Sequence, residues 1–426
     1  MLSNGVDTHT ALPATSSDMA SGRIDLARFR PKEEKNLEVR TKIILARAIG
    51  EKLDTSDPAA VARAPLINDG RAIASIVGVR LFSGSNEASI YIDMAGCGIS
   101  DCVHCYVKYA SLIVNPNSSD LQNRMDLHVP AKLRNAFQRT GEGKMIPVVE
   151  ADAVFECAHE MAQREREKTG NLPSLALGSG EPLVNRAFIL RFATLAKDKG
   201  MAVTVDTAGI PGINKEYFTP FAKAGLKETL FFSFSPKGTT PAEYEKFTQG
   251  VEGKNWIWPF EGLRGALESG FRSQMIGVML QHFASLEELR QEDNPVSRLI
   301  GELRKIHELL PMLLSGLNTT TGHIGDPQRQ ILQLRKQGYT REAGFGHRDA
   351  VLDALKREAA KFGTPMLFPR QRKDYDPATW SVAERVVLGR IVADLSREVP
   401  KRNVSQEELA QTVAELRCGG VEVLVD

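Results

Sequence analysis

The chain has 426 residues, 42% of them hydrophobic and 25% charged, and its 54 basic and 53 acidic side chains give a formal charge of +1. This composition is typical of a folded globular protein and excludes global disorder and collagen-like repeats. Without a basic excess, a protein that binds nucleic acid mainly through phosphates is not expected. No apolar run reaches the roughly 18 residues of a membrane-spanning helix, so no membrane segment is expected either.

The N-terminal part reads as a tail followed by an extension. Residues 1–22 are rich in Ser, Thr, Ala and Asp without hydrophobic periodicity, which predicts a disordered tail. They lack the apolar stretch and cleavage site of a secretory signal, so a cytoplasmic protein is expected. Residues 23–87 are predicted to pack on the main body, with an amphipathic helix near 37–53 and a strand near 73–81.

Residues 88–322 alternate between strand-like and helix-like segments. This alternation predicts right-handed β-α-β crossovers and a parallel sheet, either doubly wound or curled into a full or partial barrel. The predicted strands are 88–95, 174–177, 202–206, 228–235, 274–280 and 312–317, and the predicted helices are 151–168, 185–199, 215–224, 261–268 and 296–310.

Residues 323–426 are predicted to form a mainly helical C-terminal extension. The segment 381–395 carries its apolar residues on one face, and Ser405 with Glu408 forms a capping-box pattern that opens a helix over 405–416. A short strand is expected at Val421–Val425.

In a parallel sheet of either kind, ligands bind at the carboxyl ends of the strands. Polar and chemically capable residues follow each of the first five predicted strands, so the active face is expected there. In chain order these residues are Cys97, Cys102 and Cys105; Gly178, Ser179, Gly180 and Glu181; Asp206, Thr207, Ala208 and Gly209; Ser233, Ser235 and Lys237; and Gln281 and His282.

Three of the five cysteines, Cys97, Cys102 and Cys105, lie within nine positions. This clustering is a poor disulfide framework and a good metal or cluster site in a reducing compartment. The thiolates alone leave three interpretations open: a four-iron cluster with one open iron, a plant-type ferredoxin centre completed by a distant cysteine, and a structural zinc site. The zinc site would take its fourth ligand from His104, His128 or Cys157.

A second motif, Gly178-Ser179-Gly180-Glu181-Pro182, follows the next strand of the predicted sheet. Its exposed backbone edge and single carboxylate are suited to an ammonium group, although a Gly-rich turn can also serve packing alone. The two motifs in this order, each at a strand end, are far more specific than either one by itself.

With both motifs in place, residues 88–320 resemble the radical S-adenosylmethionine superfamily. The resemblance implies that Cys97, Cys102 and Cys105 bind a [4Fe-4S] cluster whose open iron chelates S-adenosylmethionine. The cysteine spacing is four then two instead of the family's usual three then two. The implied cofactor-binding residues are Ser179, Gly180, Glu181, Pro182, Thr207, Ser233, Ser235 and His104.

The resemblance further implies an α/β fold, a partial (β/α)6 barrel with mainly helical N-terminal and C-terminal additions. The implied activity is reductive cleavage of S-adenosylmethionine to a 5′-deoxyadenosyl radical that abstracts hydrogen from a small-molecule, peptide or protein substrate. An external electron donor such as flavodoxin or ferredoxin is expected as a partner. The segment 233–239 is similar to the branch of the pyruvate formate-lyase activating enzymes. A non-catalytic iron-sulfur carrier or a structural zinc module is the alternative.

The other cysteines and the remaining strand-end residues carry weaker expectations. Cys157 is expected to be a small core residue, and two isolated cysteines disfavour auxiliary clusters. Lys237 is either an anchor for a substrate carboxylate or a solvated lysine. Trp256 and Trp258 are expected in a loop that covers the sheet edge.

Overall fold

A computed structural model describes a large part of the chain. The described residues are 24–25, 36–48, 53–54, 56–83, 88–94, 112–113, 148–178, 180–248, 252–275, 285–316, 350, 353–358, 360–361, 382, 384–421 and 423.

The described elements alternate between strands and helices through most of the chain. The strands are β1 (Ile24–Asp25), β2 (Ile73–Ser83), β3 (Ala88–Met94), β4 (Leu112–Ile113), β5 (Val148–Glu150), β6 (Ser174–Gly178), β7 (Val203–Thr207), β8 (Leu230–Phe234) and β9 (Ser273–Met275). The α-helices are α1 (Leu37–Ala48), α2 (Pro58–Arg63), α3 (Ala151–Thr169), α4 (Arg186–Asp198), α5 (Lys215–Lys223), α6 (Pro241–Phe247), α7 (Trp258–Glu268), α8 (Leu286–Arg290), α9 (Pro295–Ile306), α10 (Gly389–Leu395) and α11 (Gln406–Cys418).

The main sheet has seven strands in the order β5-β2-β3-β6-β7-β8-β9. Strands β3, β6, β7, β8 and β9 are parallel to one another, whereas β2 is antiparallel to both β3 and β5. The predicted α/β class with a mostly parallel sheet is therefore confirmed. The N-terminal extension contributes β2 to this sheet.

The parallel strands follow one another across the sheet in chain order, from β3 through β6, β7 and β8 to β9. Right-handed crossovers between sequential neighbours put every connecting helix on the same side of a sheet. A doubly wound sheet instead reverses its strand order to cover both sides. The strand order therefore favours one helix-covered face and one face free of crossover helices.

Side-chain burial distinguishes the two faces. The helix-covered face is apolar and fully buried, as at Ile92, Leu177 and Val205. There Phe218 of α5 packs edge-on against Phe232 of β8, with ring centroids 5.0 Å apart. The opposite face, here called the open face, carries partly exposed side chains. These are Tyr91, Thr204, Asp206 and Phe231.

The predicted sixth strand at 312–317 is wrong. The chain instead forms a 3-10 helix at Leu310–Gly316, in which the Met312 amide donates to the Leu309 carbonyl at 3.0 Å. Met312 and Leu313 are both buried. A short apolar run of this kind has no period that separates a strand from a buried helical turn.

Three smaller expectations also differ from the structure. Trp256 lies in a 3-10 helix, Gly253–Ile257, and Trp258 is the first residue of α7, so neither tryptophan lies in a loop. Helix α7 begins three residues before its predicted start because Pro259, with its fixed φ and missing N–H, suits a first helical turn. At the C-terminus, the described residues Val421 and Val423 lie in no strand.

The C-terminal helices form as expected and pack on the main body. Ser405 and Glu408 make the predicted capping box at the start of α11, and Leu416 of that helix is fully buried. No helix in the described part of the chain is long and apolar enough to cross a membrane.

A buried imidazole joins the main body to α10. The Leu309 amide donates to His307 Nδ1 at 3.1 Å, so the other ring nitrogen, Nε2, carries the proton and faces Asp394 Oδ2 at 3.4 Å. Both side chains are buried, and Asp394 also pairs with Arg397 at 2.8 Å.

This imidazole predicts a loss of stability in mild acid. Burial lowers the pKa of His307 below its usual 6.5, so the unfolded chain binds the proton more tightly. The unfolding free energy should therefore decrease as the pH falls below about 6.5. Chemical unfolding between about pH 8 and 5 should show a weaker decrease for His307→Gln than for wild type. Identical pH dependences would contradict a neutral buried His307.

Candidate functional site

The carboxyl ends of β6, β7 and β8 meet at one edge of the sheet, where the predicted motif residues lie. Gly180 and Glu181 follow β6, and Pro182 opens a 3-10 helix, Pro182–Asn185. The Glu181 carboxylate caps this helix, because its Oε1 accepts a hydrogen bond from the Leu183 amide at 3.1 Å. Thus Glu181 fixes the conformation of its own turn.

Glu181 also binds the turn after β7. Its Oε1 accepts from the Thr207 hydroxyl at 2.6 Å, and its Oε2 accepts from the Ala208 amide at 3.0 Å. The Thr207 oxygen in turn accepts from the Gly209 amide at 2.9 Å. The structure therefore brings together Glu181 and Thr207, two residues that the sequence placed at neighbouring strand ends.

The environment of Glu181 weakens its acidity. The side chain is only 5% exposed, and this burial raises its pKa to about 7, against the opposing effects of the Thr207 hydroxyl, the two amides and the nearby Lys237 charge. The protonated form of this carboxyl therefore persists to a higher pH than that of an exposed glutamate. Burial makes the ionised form of Glu181 unfavourable unless a further cation lies close to it.

A tyrosine crosses β6 on the open face of the sheet. Tyr91 of β3 lies over Gly178 and donates a hydrogen bond to Asp206 Oδ2 on β7. A Cβ at position 178 would lie 2.9 Å from both Cε1 and the hydroxyl oxygen of Tyr91. Glycine at 178 therefore makes room for the tyrosine ring.

Gly178→Ala should consequently destabilise the protein through this clash. We expect the unfolding free energy to fall by about 1–3 kcal/mol, the usual cost of overpacking a tight contact. The double variant Gly178→Ala/Tyr91→Ala should lose less than the sum of its two single variants, because the clash is gone. Urea unfolding measures all three, and strict additivity would contradict the contact.

The residues predicted at the end of β8 have different surroundings, and the first of them, Ser233, lies within the strand itself. Ser233 is fully buried and is the register partner of Asp206 in the parallel pair β7-β8. Its hydroxyl makes no hydrogen bond of normal geometry but lies near enough to lower the pKa of Asp206. The Ser235 amide donates to the Thr207 carbonyl at 2.8 Å.

Two charged groups complete this edge. Burial raises the pKa of Asp206, while the hydrogen bond from Tyr91, the nearby Ser233 hydroxyl and the charge of Lys237 oppose that shift. Lys237 is partly buried and acts on both Glu181 and Asp206 through its charge. Within the described ranges, its ammonium has no hydrogen bond and no ion pair.

The sequence did not single out Tyr91. A tyrosine within an apolar strand is unremarkable, and only the strand register shows that it lies over a glycine two residues beyond its own partner, Ala176. The sequence places Asp206 at a strand end, but its contact with Tyr91 depends on the same register.

Several predicted site residues lie outside the described residues. They are Cys97, Cys102, Cys105, His104, His128, Ser179, Gln281 and His282. Among the residues that the structure does describe, no group of three His, Cys, Asp or Glu side chains is arranged to hold a metal ion. Cys157 is buried in α3, which confirms it as a core residue, and Cys418 is exposed at the end of α11.

Neither a protein-family model nor a curated protein matches this chain.

Proposed function

We propose that this protein is a radical S-adenosylmethionine enzyme with one [4Fe-4S] cluster held by Cys97, Cys102 and Cys105. When bound, the cluster supplies the electron that cleaves the sulfonium of S-adenosylmethionine to a 5′-deoxyadenosyl radical. The proposed fold of residues 88–322 is a partial barrel whose interior is the open face of the sheet. An external flavodoxin or ferredoxin would deliver the electron.

The observation that carries this proposal is the joining of two turns at one sheet edge. Glu181 binds the turn at Thr207 and Ala208 through two hydrogen bonds, so the Gly-rich turn after β6 is fixed beside the turn after β7. The neighbouring strand β3 ends at Met94, three residues before Cys97. Parallel strands end at the same edge, so β3, the strand that precedes the cysteines in the sequence, ends beside these turns.

The residues at this edge fit the proposed cofactor by their chemistry. The Ser179 and Gly180 backbone would accept hydrogen bonds from the methionine ammonium, and the carboxylate of Glu181 would add negative charge close by. A cation near Glu181 would also favour its ionised form, which burial disfavours. Ser235 and His104 are the candidates for the ribose and adenine. Ser233, which the resemblance also implies, pairs in register with Asp206 and is not assigned to the cofactor.

The sequential strand order supports the barrel. All crossovers then lie on one side, and the open face with Tyr91 and Asp206 would become the interior of a curled sheet. Such an interior is closed to solvent when capped, and a radical that abstracts hydrogen requires exclusion of competing reactants.

The test is anaerobic reconstitution followed by metal analysis and product assay. We expect about four irons per chain and formation of 5′-deoxyadenosine from S-adenosylmethionine with dithionite. Stoichiometric zinc without iron uptake would contradict the proposal and favour a structural module. Two irons with Cys157 as a ligand would contradict it in favour of a ferredoxin centre.

A further inference from the structure

The open face carries polar groups that the proposed cofactor site does not use. Asp206 and Ser233 are paired in register on β7 and β8, and both therefore project to the same side of the sheet. Thr207, the next residue after Asp206, projects to the opposite side, because successive side chains alternate along a strand. The Glu181 network and the Asp206 group are thus separate sets of contacts.

Glu181 and Asp206 differ in how many further hydrogen bonds their carboxylates can accept. Glu181 is 5% exposed and already accepts three hydrogen bonds, from Leu183, Thr207 and Ala208. Asp206 is partly exposed, and its hydrogen bond from Tyr91 engages Oδ2 alone. Asp206 is therefore the carboxylate with more capacity left for a donor group of a ligand.

Two further groups beside Asp206 have unused hydrogen-bonding capacity. The Ser233 hydroxyl is fully buried without a normally oriented partner, which is costly unless a ligand completes it. The Lys237 ammonium is partly buried and unpaired within the described part of the chain, yet it lies close enough to Asp206 to act on its charge. An anion beside Lys237 would satisfy that ammonium.

From this arrangement we propose that the open face binds a substrate with an α-amino-acid headgroup, its ammonium on Asp206 and its carboxylate on Lys237 and Ser233. Tyr91 orients Asp206 by engaging its second oxygen. The inference rests on the proposed function in taking this ligand as the compound that the radical attacks. The binding itself does not depend on the cluster.

The methionine end of S-adenosylmethionine has the same headgroup, so the test must distinguish binding of a substrate amino acid from binding of the cofactor. The probes are the proteinogenic L-amino acids, each with its decarboxylated amine and its deaminated acid, and, separately, S-adenosylhomocysteine. Thermal unfolding of the full chain detects binding, because a ligand of the folded state raises the midpoint. Titration then gives the affinity.

We expect at least one amino acid to raise the midpoint, while its amine and its acid analogue do not. Asp206→Asn and Lys237→Gln should each weaken that amino acid about tenfold or more, as expected for the loss of a charge-assisted hydrogen bond. Thr204→Val, on the same face, should change the affinity less than about twofold. Lys237 has no described partner, so its variant tests the site even if Asp206→Asn does not fold.

Three results would overturn the inference. One is that no amino acid binds, and another is that binding is unchanged in Lys237→Gln. The third is that Asp206→Asn weakens S-adenosylhomocysteine instead of an amino acid, which would assign the headgroup to the cofactor. If iron uptake and S-adenosylmethionine cleavage persist in these cases, only the substrate assignment fails. Amino-acid binding without iron uptake would instead contradict the proposed function.

Discussion

Replacing Cys97, Cys102 or Cys105 singly with alanine is expected to abolish cluster assembly. Iron per chain after anaerobic reconstitution should fall from about four to near zero, because the proposed cluster is held by only three thiolates and has no spare protein ligand. Formation of 5′-deoxyadenosine should be lost with it. Iron analysis and chromatography of the reaction mixture measure the two effects.

The chain supplies its own matched controls in the two isolated cysteines. Cys418→Ala removes an exposed thiol and should change neither iron content nor stability. Cys157→Ala should keep full iron content and cost only about 1 kcal/mol of unfolding free energy, the loss from a small buried side chain. Loss of iron in Cys157→Ala would instead indicate a fourth thiolate ligand and a different class of centre.

Removal of the Glu181 carboxylate is expected to have the largest effect on stability. Glu181→Ala leaves the Leu183 and Ala208 amides and the Thr207 hydroxyl without their acceptor. The unfolding free energy should fall by about 3 kcal/mol, since unsatisfied buried donors cost about 1–3 kcal/mol each and the turn can partly relax. Such a variant cannot isolate cofactor binding, because its turn is disturbed as well.

The Glu181→Gln variant keeps the shape of the side chain and removes its ionisation, so it isolates the effect of the charge on stability. The folded-state pKa of about 7 exceeds the usual value of 4.5, so the unfolded chain releases this proton more readily. The contribution of Glu181 to stability is therefore complete below about pH 4.5 and is lost as the pH rises to about 7. Wild type should lose at most about 1.4 kcal/mol per pH unit to this group in that window.

Glu181→Gln should remove that part of the pH dependence, and the exposed Glu216→Gln is the matched control that should retain it. Denaturant unfolding at several pH values compares the three proteins. Parallel curves for wild type and Glu181→Gln would show that Glu181 titrates normally.

Much of the fold was predictable from the sequence because its elements have clear periods and ends. Helix α3 was predicted over 151–168 and forms at Ala151–Thr169, where Gly170 ends it with a φ of 78°. Strand β3 was predicted over 88–95 and is described over Ala88–Met94. The 3-10 helix at Leu310–Gly316 was not predictable, because its apolar residues are buried regardless of local conformation.

The candidate site was predictable only from the general rule that ligands bind at the carboxyl ends of parallel strands. That Glu181 and Thr207 meet follows from their position after adjacent parallel strands. The Tyr91–Asp206 contact requires the register of three strands, which the sequence does not contain in readable form. That the Ser233 hydroxyl and the Lys237 ammonium can each form further hydrogen bonds likewise becomes clear only when all contacts around them are known.

The sequential strand order has a consequence for how the chain reaches its native state. From β6 to β9, each strand pairs with the next one along the chain, so these contacts close short loops at low entropic cost. The pairing of β3 with β6 instead closes the much longer connection that carries the cysteines. Contacts between near neighbours form faster than remote ones. We therefore expect the segment from β6 to β9 to assemble first, and β3 to join a sheet edge that already exists.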